Sequence, residues 1–196
     1  RATKYQQIVS EILLQRTKAE TVAKYYDTFF SKFPDWNALA NASLEELEEI
    51  MKPLGLYRHR ARRLYKLGED IRRRGGKIPG NENELKDSGF IGLYVTNAFE
   101  LFILRNRKPL LDVNMSRLLK RYFKPGDFID VRHDKEIQEL ANDIIEVRRC
   151  KELNWAILDY AALVCKTRNP LCGECVLNKH CKYYELSQGD VTEEPE

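Results

Sequence analysis

Apolar side chains along this chain recur three and four residues apart, segment after segment. Ile8, Val9, Ile12 and Leu13 form such a stripe over residues 5–15. Val22, Tyr25, Tyr26 and Phe29 repeat it over 18–32. This spacing matches the 3.6-residue period of a helix with one face turned to a core. "NASLEELEEIM" opens on Ser43 with Glu46 three residues on, the pattern of a reciprocal N-terminal cap. "YRHRARRLYKLGEDIRRRGG" reads as a basic helix stopped by Gly75 and Gly76. "KIPGNENELKDSGFIG" reads as a loop-rich link with one short helix. Four further helices are predicted over 91–105, 114–123, 134–147 and 152–165. Long alternating runs are absent, and so are internal repeats. The pattern predicts an all-α fold.

The chain has 196 residues, 43% of them hydrophobic and 32% charged, which suits a globular protein with a sizeable core. No apolar run approaches the roughly 20 residues of a membrane span, and no signal-peptide pattern is present. The chain begins at Arg1 rather than Met, which suggests a trimmed start. The net charge of +3 is unevenly spread. "ELSQGDVTEEPE" at the end carries five acids and no base, leaving 33 basic against 25 acidic residues, or +8, in the body. The tail, residues 186–196, reads as disordered. The basic body fits a polyanion partner as well as plain solubility. The run Arg58, His59, Arg60, Arg62, Arg63 and Lys66 reads first as a solvated helix face.

Four of the five cysteines fall in "CKTRNPLCGECVLNKHC": Cys165, Cys172, Cys175 and Cys181, spaced C-x6-C-x2-C-x5-C, with Cys150 apart. A chain of this length needs no disulfide staples, and clustered thiols fit a metal site in a reducing, intracellular setting. Thiolates favour soft metals. The spacing alone leaves zinc and an iron–sulfur cluster equally open.

The same loop resembles the [4Fe–4S] loop of the endonuclease III (HhH-GPD) superfamily of DNA glycosylases. Three other stretches carry the resemblance: "SEILLQRT" at 10–17, "SGFIGLY" at 88–94 and "LLDVNMSRLLKRYF" at 110–123. Their order and spacing agree over essentially residues 1–185. The resemblance implies a helical barrel domain with a helix–hairpin–helix over 1–107 and a cluster domain over 108–185, with the active-site cleft between them. It assigns one [4Fe–4S] cluster to Cys165, Cys172, Cys175 and Cys181. It makes the hairpin at Gly89, Ile91 and Gly92 a grip for a DNA phosphate, commonly with a monovalent cation. Phe90 departs from that hairpin pattern, standing where a glycine is usual.

Cleavage of an N-glycosidic bond passes through a cationic sugar, so it needs a negative charge nearby and a proton donor for the departing base. Asp112, ahead of a helix, reads from the residues alone as a plain N-cap; the resemblance makes it the stabilising carboxylate. Glu11 lies beside the apolar arc of its helix, where burial would favour its protonated form and suit it to proton donation. Asn114 matches the adenine- and mismatch-specific branches, where endonuclease III itself has His. Tyr94 stands where bifunctional members carry the lysine that attacks the sugar. Gln15 and Arg16 match the segment that fills the gap left by a flipped base, Arg16 best. The implied function is a monofunctional glycosylase removing thymine or uracil opposite guanine from double-stranded DNA, as a monomer with no membrane partner. Alternatives are an adenine glycosylase, a bifunctional endonuclease III-like glycosylase/lyase and a non-catalytic DNA-binding module.

Overall fold

The computed structural model describes residues 2–14, 17, 19–81, 83–84, 92–126 and 130–189. The fold is all-α, and no strand occurs among the described residues. The chain divides into two compact units, Arg1–Asn106 and Arg107–Glu196. None of the described helices is long and apolar enough to cross a membrane.

The first unit contains α1 (Lys4–Leu14), α2 (Ala19–Lys32), α3 (Trp36–Asn41), α4 (Leu44–Met51), α5 (Tyr57–Arg73) and α6 (Leu93–Phe99). The apolar stripes of α1 and α2 meet in one core with Leu39, Leu47, Met51, Leu64, Leu67, Ile71 and Val95. Its aromatic centre packs edge to face: Tyr5 against Phe30 at 5.6 Å and against Trp36 at 4.8 Å. Burial of this kind stabilises at roughly 25 cal/mol per Å² of apolar surface. Ser43 caps α4 as its sequence suggested, accepting from the Glu46 amide while Glu46 accepts from Ser43. The pair α3 and α5 crosses closely at Gly68, where a Cβ would come within 2.7 Å of the Leu39 carbonyl. Gly75 and Gly76 end α5 with φ of 65° and 82°, a backbone that glycine adopts without strain.

One short helix of this unit was not predicted, and two readings of the unit need correction. The short helix α3 carries only two buried residues, Leu39 and Ala40, too few to show a period. Arg60 is not part of a solvated face: it is 3% exposed. Its guanidinium donates to the Leu54 and Gly55 carbonyls, each at 3.0 Å, and to the Thr17 hydroxyl. Arg60 falls on the same side of α5 as Leu64, Leu67 and Ile71, at helical spacing, so periodicity overrides its charge. Beyond Phe99 the segment read as plain helix widens into a π-turn, Glu100–Leu104.

The second unit contains α7 (Val113–Phe123), α8 (Lys135–Ile144), α9 (Cys150–Leu163) and α10 (Lys182–Gly189). Its core joins Leu111, Met115, Leu118 and Leu119 to Ile137, Ala141 and Ala161. Fully buried Asn154 fixes the entry strand of chain: its side-chain oxygen accepts from the Leu110 amide at 2.6 Å, and its nitrogen donates to the Lys108 and Cys150 carbonyls. Between α9 and α10 the cysteine-rich segment winds through two single 3-10 turns, Cys172–Glu174 and Asn178–His180. Residues 186–189, read from the sequence as the start of an acidic tail, close α10 instead.

Candidate functional site

Glu11 sits on the third turn of α1, flanked by Ile8, Ile12 and Leu13, and is 9% exposed. The Tyr94 hydroxyl donates to Glu11 Oε2 at 2.6 Å, across 83 residues of sequence. Tyr94 is the second residue of α6, which Gly92 opens as N-cap. This places a carboxyl and a phenol in direct contact at the edge of an apolar core. Hydrogen bonds to a carboxyl at such a place are strong and orient it. Gly92 itself has φ −74°, and a Cβ there would meet nothing within 4 Å. Gly92 therefore adopts an ordinary extended backbone rather than a left-handed one. Gly89, Ile91 and the atypical Phe90 lie outside the described residues, as do Gln15 and Arg16.

Asp112 follows the buried pair Leu110–Leu111 and caps α7 with an extended backbone, φ −113° and ψ −174°. One carboxylate oxygen accepts from the Asn114 and Met115 amides, both at 2.8 Å. The other accepts from the Asn114 side-chain amide at 2.8 Å. Both readings of Asp112 thus share one geometry: the cap fixes the rotamer, and the helix N-terminus favours negative charge there. A carboxylate has about four lone-pair sites, so capacity for a cationic partner remains.

The network continues along α7, through a residue that the sequence reading passed over. Arg117 donates to the Asn114 side-chain oxygen at 3.0 Å, to the Cys165 carbonyl at 2.8 Å and to the Ala161 carbonyl at 2.8 Å. Burial lowers its guanidinium from the ordinary value, while Cys165 and Asp112 pull the other way. An unbroken hydrogen-bonded path therefore joins Asp112, Asn114, Arg117 and the start of the cysteine segment. The only sequence signal for Arg117 was its place one turn after Asn114. One further turn along, Arg121 donates to the Lys166 carbonyl at 2.6 Å and the Thr167 carbonyl at 3.1 Å. It also lies 3.6 Å from Cys165 Sγ and 4.6 Å from the Tyr183 ring centre.

All five cysteines are free thiols. Burial raises the Cys172 thiol, and negative charge on Cys181, Cys165 and Cys175 raises it further, so these four lie within one another's field. Cys150 is not among the groups acting on it. Tyr160 places its hydroxyl 3.3 Å from Cys175 Sγ and accepts from the Val176 amide. Among the described residues no three His, Cys, Asp or Glu side chains close on a point that would hold a single metal ion. A tetrahedral zinc would draw four thiolates to within about 4 Å of each other, given Zn–S bonds of about 2.3 Å. A cubane cluster gives each thiolate its own iron and holds them farther apart. Four thiols, with Arg121 beside Cys165 Sγ and the Tyr160 hydroxyl beside Cys175 Sγ, are a donor set suited to a soft metal centre.

A capped carboxylate, a buried carboxyl–phenol pair and a four-thiol segment thus sit on a fold of packed helices. The family model "HhH-GPD superfamily base excision DNA repair protein" matches residues 9–152. A thymine-DNA glycosylase of Aeropyrum pernix is 35% identical over 181 residues, covering 90% of this chain and 81% of that protein. A thymine/uracil-DNA glycosylase of Methanothermobacter thermautotrophicus is 31% identical over 180 residues, covering 91% and 81%. The solved structure of a thermostable thymine-DNA glycosylase superposes with a TM-score of 0.84 at 30% identity, covering 95% of this chain and 86% of that one. The chain belongs to the HhH-GPD superfamily of base excision DNA repair proteins, and its activity is that of a DNA N-glycosylase.

Proposed function

We propose that this chain is a monofunctional glycosylase that removes thymine or uracil from mispairs with guanine in double-stranded DNA, working as a monomer. The observation that carries the reading is the contact between Tyr94 and buried Glu11. A phenol stands where the lyase reaction needs an amine, and it is already committed to the carboxyl group. Without an attacking amine the sugar forms no Schiff base, and water completes the displacement.

In this reading Asp112 stabilises the cationic sugar, held in one rotamer by its own helix and by Asn114. Glu11 supplies the proton for the departing base, oriented by Tyr94. Gln15 and Arg16 fill the gap left by the flipped base, whose extrusion costs a few kcal/mol and least at a mispair. Gly89, Ile91 and Gly92 hold a backbone phosphate, with a monovalent cation as the bridging charge. The first unit carries the hairpin and the base pocket residues. The second carries Asp112 and a [4Fe–4S] cluster on Cys165, Cys172, Cys175 and Cys181. When bound, the cluster acts as a covalent staple for a segment with almost no apolar core of its own. Free thiols of this kind suit a reducing, intracellular compartment.

The test is incubation with a panel of labelled mispaired duplexes. Guanine–thymine and guanine–uracil duplexes are expected to lose the pyrimidine, leaving an abasic strand that breaks only on alkali or heat. Borohydride is expected to trap no enzyme–DNA adduct. Efficient trapping would move the protein to the lyase-competent class, with another lysine, such as Lys86, as the nucleophile. Adenine release would favour the second reading, an adenine glycosylase, to which Glu11, Tyr94 and Asn114 are equally suited.

A further inference from the structure

We propose that the exposed face of α5 is a track for the DNA phosphate backbone, formed by Arg58, Arg62 and Lys66. The proposal deepens the glycosylase reading by naming where the first unit holds duplex beyond the excised base. These three residues stand four apart on one helix, so they share one face and rise about 6 Å per step along the axis. All three are exposed, and none forms an ion pair among the described residues. Arg58 instead lies over the Tyr57 ring at 5.6 Å. The one acid among residues 57–73 that reaches solvent is Glu69; Asp70 is buried and bonded to Arg73 and Arg74.

Three exposed cations elsewhere are matched. Lys32 faces Glu46 at 3.7 Å, Lys124 faces Glu136 at 2.8 Å and Arg132 faces Asp130 at 2.5 Å. A row of three unmatched cations costs self-repulsion that a surface ion pair would relieve, and a polyanion relieves it better. The rise of about 12 Å over the row corresponds to three or four phosphates on one strand, at about 3.4 Å of rise each. The inward face of the same helix explains why the row is rigid. Arg60, about 200° round the helix from Arg58, is buried and bonded to Leu54, Gly55 and Thr17. That bracket ties the start of α5 to Thr17.

The experiment is a salt titration of duplex binding, followed by fluorescence anisotropy, on both a guanine–thymine duplex and its fully paired counterpart. The variant is R58Q/R62Q/K66Q. A control, K32Q/K124Q/R132Q, removes the same net charge from matched positions. Each phosphate contact contributes about 0.9 to the slope of log K against log salt. The track variant is expected to lose about 2.7 of that slope on both duplexes, because phosphate contacts carry no sequence information. Its thermal melting is expected not to fall, since removing the row relieves its self-repulsion. An unchanged slope would overturn the proposal, as would an equal loss in the control or a loss confined to the mispaired duplex. Failure of the wild type to excise any base would instead sink the glycosylase reading, while the fully paired duplex still reports on the track.

Discussion

At the scale of single residues, the roles divide between charge and orientation. In the proposed mechanism Asp112 carries the charge that matters to a cationic sugar, and its three hydrogen bonds from Asn114 and Met115 aim it. Asp112→Asn keeps an oxygen for the α7 amides but removes the charge. Folding and DNA binding are therefore expected to persist, while single-turnover excision falls by ~10² or more. Excision near the wild-type rate would exclude Asp112 from the reaction. Tyr94 is the opposite case, a residue that aims another. Tyr94→Phe keeps the ring packed beside the first core but withdraws a donor from buried Glu11. Leaving a buried acceptor short of a partner costs about 1–3 kcal/mol. The melting temperature and the excision rate are expected to fall together, and calorimetry alongside single-turnover kinetics checks both.

At the scale of elements, each helix of the second unit is held by one polar tie as well as its apolar stripe. Asp134 caps α8 through the Ile137 amide at 3.1 Å and meets Lys120 of α7 at 2.6 Å, with both side chains largely buried. The hydrogen bond from Lys120 holds the Asp134 carboxyl below the usual carboxylate range, against the opposing effect of burial. A carboxyl lowered by folding contributes stability above its unfolded value, near 3.9, and loses that contribution as pH falls through the lower folded value. Asp134→Ala is expected to cost about 3 kcal/mol at neutral pH, since it strands the Lys120 charge. The gap to wild type is expected to close on titration below about pH 4, as followed by denaturant unfolding. These ties also show what a sequence conveys about elements. The stripes of α1, α2, α7 and α9 are legible because their apolar positions repeat over at least three turns. Arg60 was misread as solvated: it lies at helical spacing from Leu64, Leu67 and Ile71, but its charge masked the period. The π-turn at Glu100–Leu104 leaves no trace, because its residues are as apolar as an ordinary helix would need. Arg117 was equally hidden, since its partners Ala161 and Cys165 lie 44 and 48 residues away.

At the scale of the whole molecule, the two units differ in how they are stabilised. The first has a broad core from Tyr5 to Val95, and nothing in its sequence pattern needed chemistry to explain its folding. The second has a smaller core, centred on Leu111, Met115, Leu119, Ile137, Ala141 and Ala161, and then some 17 residues, Cys165–Cys181, with none buried. The family resemblance made the cysteine loop legible, but spacing alone did not choose between metals, because it sets no distance between thiols. What the folded chain adds is a reason for the loop to need one. Its backbone is held by short-range turn bonds, such as Cys175 N–H to the Cys172 carbonyl, and is tied to the helices by Arg117, Arg121 and Tyr160, against a conformational entropy of about 1–2 kcal/mol per residue. In the proposed reading, a metal cluster bonded to four points of the segment would offset that entropy, and its loss would unfold the second unit from its C-terminal end. Cys172→Ser, the ligand position at the start of a 3-10 turn, is expected to lower iron and sulfide content. It is also expected to speed proteolysis within residues 165–189, while the first unit resists cleavage. Cys150→Ser, away from the loop on α9, is expected to change neither. Zinc without iron in protein prepared anaerobically would overturn the cluster assignment, and equal protease resistance of Cys172→Ser would overturn its role as a staple.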